Sequence, residues 1–200
     1  MSESLDAFYL IVGDVDELAD LVPLGVKLIQ LRIKNRDERY VYRQIVLAKE
    51  ICEQYECQLV VNDYWQMAID TKCDFVHLGQ EDLNTADVEA IARAGISLGI
   101  SSHDESELAA ALAVKPAYVA LGPVYKTILK EMPWAPQGLE RVAEWKRRLG
   151  STPLVGIGGI SLQRGAGVLA AGADSVAVVT DVSLHADPRE RVRAWLRATR

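Results

Sequence analysis

The sequence predicts a (β/α)8 TIM barrel, one domain over residues 1–200, and three observations point to it. Short β-branched runs alternate with helical patterns from end to end, as in a parallel sheet with helical crossovers. The runs number eight, enough for the sheet to close. The seventh, Pro153-Leu-Val-Gly-Ile-Gly-Gly-Ile160, ends in a glycine pair, and the eighth is Ser175-Val-Ala-Val-Val-Thr-Asp181. The turns after strands 7 and 8 are where such barrels build a phosphate site, and glycine lets a phosphate approach backbone N–H groups with no Cβ in the way. Taken alone, the Gly158-Gly159 pair reads as a tight turn; the rest of the chain adds weight to the phosphate.

The first strand, residues 7–13, runs into Asp14-Val-Asp16 with no G-x-G-x-x-G, which counts against an open doubly wound sheet. In the second, residues 27–33, Ile29, Leu31 and Ile33 fall on one face and Gln30, Arg32 and Lys34 on the other. The apolar set should meet the helices. The polar set then points inward, a costly place for two cations unless an anion binds there. Val41, Ile45, Ala48, Cys52 and Tyr55 follow at helical spacing.

The third strand, residues 58–62, leads into Asp63, and the fourth, residues 75–79, leads through His77-Leu-Gly-Gln-Glu-Asp82. Asp63 and Asp82 lie on neighbouring loops at one face, an arrangement suited to Mg²⁺, which takes hard oxygen ligands and completes its shell with substrate phosphates. Singly, each aspartate reads as a turn or cap residue.

The fifth strand, residues 97–101, puts Ser101 at the barrel mouth, and Asp104 with Glu107 has capping-box spacing before Leu108, Ala111 and Leu112. The sixth, residues 118–124, leads to Lys130, at the base of a proline-bearing stretch over 131–138 expected to be a lid. Trp65, Trp134, Trp145 and Trp195 all read as packing residues, with closure over a ligand a second reading for Trp134, which stands on that stretch. A last helix starts at Asp187, with Pro188 at its first position and Glu190 at its third. Arg189, Arg191, Arg193, Arg197 and Arg200 interleave there with Val192, Trp195 and Leu196 and read as a solvated face. His77 reads as a hydrogen-bonded barrel residue, His103 as part of a helix start and His185 as surface.

A net charge of −6 argues against nucleic acid as a partner. No apolar run approaches a membrane span, and the acidic start has no signal-peptide pattern, so a cytoplasmic enzyme is expected. Cys52, Cys57 and Cys73 have no ligand spacing and read as reduced, packed thiols. The inventory leaves two anion sites at one mouth. The loops after strands 7 and 8 suit a phosphate monoester. The cations after strands 2 and 6, with the two aspartates, suit a metal-bound diphosphate. Two phosphorylated small molecules in one mouth suggest joining, with diphosphate departing.

Gln30-Leu-Arg-Ile-Lys34, Val61-Asn-Asp63, Val76-His-Leu-Gly-Gln-Glu-Asp-Leu83, Gly99-Ile-Ser-Ser-His-Asp104, Gly122-Pro-Val-Tyr-Lys-Thr-Ile-Leu-Lys130 and Val155-Gly-Ile-Gly-Gly-Ile160 resemble, in order and spacing, the thiamine phosphate synthase family. The resemblance implies a transferase that condenses 4-amino-2-methyl-5-hydroxymethylpyrimidine diphosphate with a thiazole phosphate. It implies that Gln30, Leu31, Arg32, Ile33, Lys34, Asn62, Ser101 and Lys130 hold the pyrimidine diphosphate, and that Asp63 and Asp82 hold Mg²⁺. It implies that Thr127, Ile128, Leu129, Gly159, Val179 and Thr180 hold the thiazole phosphate. The implied mechanism is dissociative: diphosphate leaves first, and Arg32, Lys34 and Lys130 stabilise the departing charge.

Two positions depart from the family pattern. Leu129 stands where a hydroxyl residue is usual, and Thr180 where serine is common. Two other readings stay open: a thiazole tautomerase of the related barrel type, and a noncatalytic phosphate-binding regulator. The tautomerase predicts loss of the cation and carboxylate set, all of which is present. A homo-oligomer is also left open.

Overall fold

The computed structural model describes residues 5–127 and 134–200, and all eight expected runs are strands. They are β1 (Phe8–Val12), β2 (Leu28–Leu31), β3 (Gln58–Asn62), β4 (Phe75–Leu78), β5 (Ser97–Ser102), β6 (Tyr118–Leu121), β7 (Leu154–Ile157) and β8 (Ser175–Val178). Each pairs in parallel with the next, and β8 returns to β1 through Phe8–Val176, Tyr9–Ala177 and Leu10–Val178, closing the barrel. The helices are α1 (Val15–Leu21), α2 (Glu38–Gln54), α3 (Trp65–Asp70), α4 (Gln80–Leu83), α5 (Val88–Arg93), α6 (Glu105–Ala113), α7 (Gly138–Leu149), α8 (Leu162–Ala170), α9 (Thr180–Ser183) and α10 (Pro188–Thr199). None of them is long and apolar enough to cross a membrane.

Strand alternation divides the apolar side chains into two layers. Phe8, Leu10, Val12, Ile29 and Leu31 face the helices, while Tyr9, Ile11, Leu28, Val60 and Tyr118 fill the interior. A Cβ on Gly99 would fall inside the Tyr118 ring, so the bare inward position on β5 makes room for the largest side chain of β6.

The helix starts follow the sequence with some differences. Asp104 accepts from the Ser106 and Glu107 N–H groups, but Glu107 reaches back to the His103 N–H and ring rather than to Asp104. Asp187 Oδ1 accepts the Glu190 N–H at 2.9 Å and caps α10. Tyr55 and Leu112 are exposed, because α2 gives way to its C-cap at Tyr55 and the buried stripe of α6 is only Leu108 and Ala111. Of the stretch expected as a lid, residues 131–133 lie outside the described residues, and Gly138 opens α7.

The solvated arginine face of α10 needs a correction at Arg191. Its guanidinium makes a two-pronged contact with Asp181, at 2.9 Å from Nε and 2.8 Å from Nη2, and the same carboxylate accepts from Trp195 Nε1 at 2.8 Å. With the Leu162 N–H at 3.1 Å, Asp181 ties α8, α9 and α10 together just behind β8. Its two oxygens supply the acceptors that let these charged groups leave water.

Candidate active site

The C-terminal ends of the strands open into a cavity of about 350 Å³, within the range of small-molecule sites. Gln30, Arg32, Lys34, Asn62, Asp63, Asp82, Ser101, Thr127, Gly159, Val179 and Thr180 all line it. Ile128, Leu129 and Lys130 lie outside the described residues. Leu31 and Ile33 are buried in the layer that meets the helices, so any contact they make with a ligand is through backbone.

The β2 alternation carries on past the strand's end, where the Arg32 N–H donates to the Val12 carbonyl at 2.9 Å. That bond anchors the segment against β1 and holds both cations at the mouth. Lys34 Nζ forms an ion pair with Asp63 Oδ2. Asp63 sits at φ +66, the left-handed region, at the tip of β3. A non-glycine residue there carries local strain, a feature that clusters at functional sites. Its carboxylate is not used as a helix cap: α3 starts from Tyr64 with no side-chain cap.

Asp82 lies in the first turn of α4, with its carboxyl pKa raised by burial and then by the neighbouring Asp63 carboxylate, which is within hydrogen-bonding reach. Two carboxylates converging beside each other are costly alone and stabilised by a cation between them. Hard oxygen donors in that arrangement fit Mg²⁺, which uses one or two carboxylates and takes the rest of its shell from water and phosphate. Among the described residues no cluster of three or more His, Cys, Asp or Glu is suited to an ion, so the remaining ligands would come from substrate and water. Asn62 Nδ2, also at the tip of β3, is buried without a hydrogen-bond partner among the described residues. A buried donor of that kind at a cavity wall is matched to a ligand oxygen.

Below the mouth runs a buried polar chain. Gln30 Nε2 donates to Tyr9 Oη at 2.8 Å, and the Tyr9 and Tyr118 hydroxyls pair at 2.9 Å. Tyr118 Oη lies 2.7 Å from His77 Nδ1, and His77 Nε2 lies 2.8 Å from Ser101 Oγ. Burial lowers the His77 pKa to about 4, so the ring is neutral near pH 7.

This depression has a measurable consequence. Below the ordinary value of 6.5 the unfolded chain takes up a proton that native His77 refuses, so stability is lost as pH falls from about 6.5 towards 4. The full effect is on the order of 3 kcal/mol. Urea unfolding over that range should show this slope, and His77→Gln should flatten it. An unchanged slope in the variant would assign the dependence to other groups.

The glycine pair has two physical roles. Gly158 and Gly159 adopt φ +96 and +63, and a Cβ on Gly158 would lie 2.7 Å from Pro123 Cα, while one on Gly159 would strike the Lys126 carbonyl. Close packing on the loop after β6 therefore demands glycine by itself. The same packing places Gly159 at the cavity wall.

Sequence reasoning left out several lining residues. Ile11 and Ala177 are inward positions near strand ends, which alternation alone would have found. Gln80 donates to the Ser101 carbonyl at 2.7 Å and ties α4 to β5. His103 does more than start a helix: it stacks on Trp134 with ring centroids 4.1 Å apart, and both line the cavity.

Among the comparisons with known proteins, the family model and the sequence relatives agree. The family model described as thiamine monophosphate synthase matches residues 8–182. A thiamine-phosphate synthase from Rhizobium etli is 60% identical over 195 residues, covering 98% of this chain and 96% of the relative. One from Klebsiella pneumoniae is 47% identical over 181 residues, covering 90% of this chain and 86% of its own length. Among solved structures, a thiamine phosphate pyrophosphorylase from Pyrococcus furiosus superimposes with a TM-score of 0.85 over 97% of this chain and 95% of its own. At 24% identity that likeness speaks for the fold.

Proposed function

The chain belongs to the thiamine monophosphate synthase family, and from that premise we propose that it forms thiamine phosphate by joining a pyrimidine diphosphate to a thiazole phosphate. The observation that carries the site reading is the convergence of Arg32, Lys34, Asp63 and Asp82 on one cavity. Cations and carboxylates gathered at one wall suit a metal-bound diphosphate and have no role in a tautomerase. The loops after β7 and β8, with Gly159, Val179 and Thr180, suit the phosphate of the second substrate.

Asp63 and Asp82 would hold Mg²⁺, which when bound supplies Lewis-acid stabilisation of the departing diphosphate. Arg32 and Lys34 sit where negative charge grows as the C–O bond breaks, and Lys130 is assigned to the same task by the family resemblance. Asn62 and Ser101 offer polar groups to the pyrimidine diphosphate, and Ile11, Ile157 and Ala177 give the cavity apolar wall. Holding both substrates in one mouth supplies much of the remaining acceleration. Small molecules are thus the substrates, and the cytoplasm the expected setting.

Calorimetry tests the division into two sites. Thiazole phosphate should bind with or without Mg²⁺, whereas the pyrimidine diphosphate should bind tightly only with it. Equal metal dependence of both ligands would contradict the division.

Leu129 gives a separate expectation, carried by the resemblance alone. A hydroxyl donating to a charged phosphate contributes about 1.5–3 kcal/mol, so Leu129→Thr should tighten thiazole phosphate binding about tenfold or more. The KM for pyrimidine diphosphate should change little. Weaker thiazole phosphate binding in the variant would mean that the leucine packs against ligand.

A further inference from the structure

The buried chain beneath the cavity has a direction, set by the orientation of the Gln30 amide, whose Nε2 faces Tyr9 Oη. Gln30, His77 and Ser101 line the cavity, while Tyr9 and Tyr118 lie beneath it, fully buried. Every buried O–H needs an acceptor. Gln30 Nε2 donates to Tyr9 Oη, so the Tyr9 proton must go elsewhere, and Tyr118 Oη, 2.9 Å away, is the acceptor in the chain. The Tyr118 proton then goes to His77 Nδ1 at 2.7 Å, which must be bare. The neutral ring carries its proton on Nε2 and gives it to Ser101 Oγ at 2.8 Å. Ser101 Oγ has thereby received a hydrogen bond, and its own proton points away from His77.

The reverse direction fails at the far end. If Ser101 donated to His77, the ring would donate to Tyr118 and Tyr118 to Tyr9, leaving the Tyr9 O–H facing the Gln30 amide N–H, donor against donor. A doubly protonated ring meets the same conflict.

We propose that Tyr9, Tyr118 and His77 are positioning residues that lock His77 in the Nε2–H tautomer and so present the Ser101 hydroxyl to the substrate as a hydrogen-bond donor. No proton is transferred along the chain. Its effect is to orient in advance a hydroxyl that would otherwise have to be ordered on binding or would turn its proton inward to the imidazole. Gly99 belongs to the same device, since the space it leaves on β5 is what the Tyr118 ring occupies. The kinetic consequence rests on the assignment of Ser101 to the substrate; the direction of the chain does not.

Two measurements test it. Nitrogen NMR of the isotope-labelled full-length protein should show His77 Nδ1 without a proton and Nε2 with one. The opposite tautomer, or protons on both nitrogens, would overturn the proposal, and no variant needs to fold for this answer. In kinetics, Tyr118→Phe keeps the ring but removes the donor, and should lower kcat/KM about tenfold, the effect of one hydrogen bond. In a Ser101→Ala background the same change should cost nothing further. An undiminished loss there would mean that Tyr118 acts by packing, and would overturn the route through Ser101. Full activity of Ser101→Ala with the expected NMR result would instead refute the substrate assignment of Ser101 while the direction stood.

Discussion

Chelation of divalent metal is expected to lower turnover about a thousandfold, with Asp63→Asn and Asp82→Asn each producing a comparable loss while the protein stays folded. The reason lies in the pair of carboxylates. Asp63 and Asp82 are close enough to raise the Asp82 pKa, and among the described residues the cation paired with them is Lys34, which reaches Asp63. A single ammonium balances half of the charge of the two carboxylates, and a divalent ion balances both. Replacing Asp63 takes away an ion ligand and the partner of Lys34, and replacing Asp82 takes away the other ligand. Circular dichroism should be unchanged, since both residues stand at loop and helix tips rather than in the core. Full activity in chelator would remove the metal from the account.

Arg32→Ala should lower kcat roughly a hundredfold, the scale seen when one preorganised donor is lost from a site of developing negative charge. Arg32 is anchored by its backbone bond to β1 and lines the cavity with Lys34 and Asn62. Charge on a leaving diphosphate is greater in the transition state than in the bound substrate, so the loss should fall on kcat more than on KM. Arg32→Lys should recover part of it, because an ammonium keeps the charge but not the planar fork of donors. A rise in KM with unchanged kcat would make Arg32 a ground-state binding residue only.

Much of this was legible in the sequence because barrels write their geometry in short-range patterns. Period-two alternation in β2 separates Gln30, Arg32 and Lys34 from Ile29, Leu31 and Ile33, and the structure divides them the same way. The eight strands are visible because β-branched runs and helical spacings differ locally. The parts that stayed hidden depend on partners distant in the chain. Tyr9 and Tyr118 are 109 residues apart, and nothing local marks their hydroxyls as a pair. Arg191 shares its spacing with solvated arginines, and only the position of Asp181 behind β8 takes it out of solvent. Gly158 and Gly159 attract notice as a phosphate loop, yet packing on Pro123 and Lys126 is reason enough for both. The stack of His103 on Trp134 likewise forms across the gap between two loops, and composition alone cannot announce it.

The most direct test is product formation by the purified protein. Incubated with 4-amino-2-methyl-5-hydroxymethylpyrimidine diphosphate, thiazole phosphate and Mg²⁺, it should yield thiamine phosphate and diphosphate in equal amounts by mass spectrometry, and neither when either substrate is left out. Isomerised thiazole phosphate with no coupled product, or binding of both ligands with no turnover, would contradict the account.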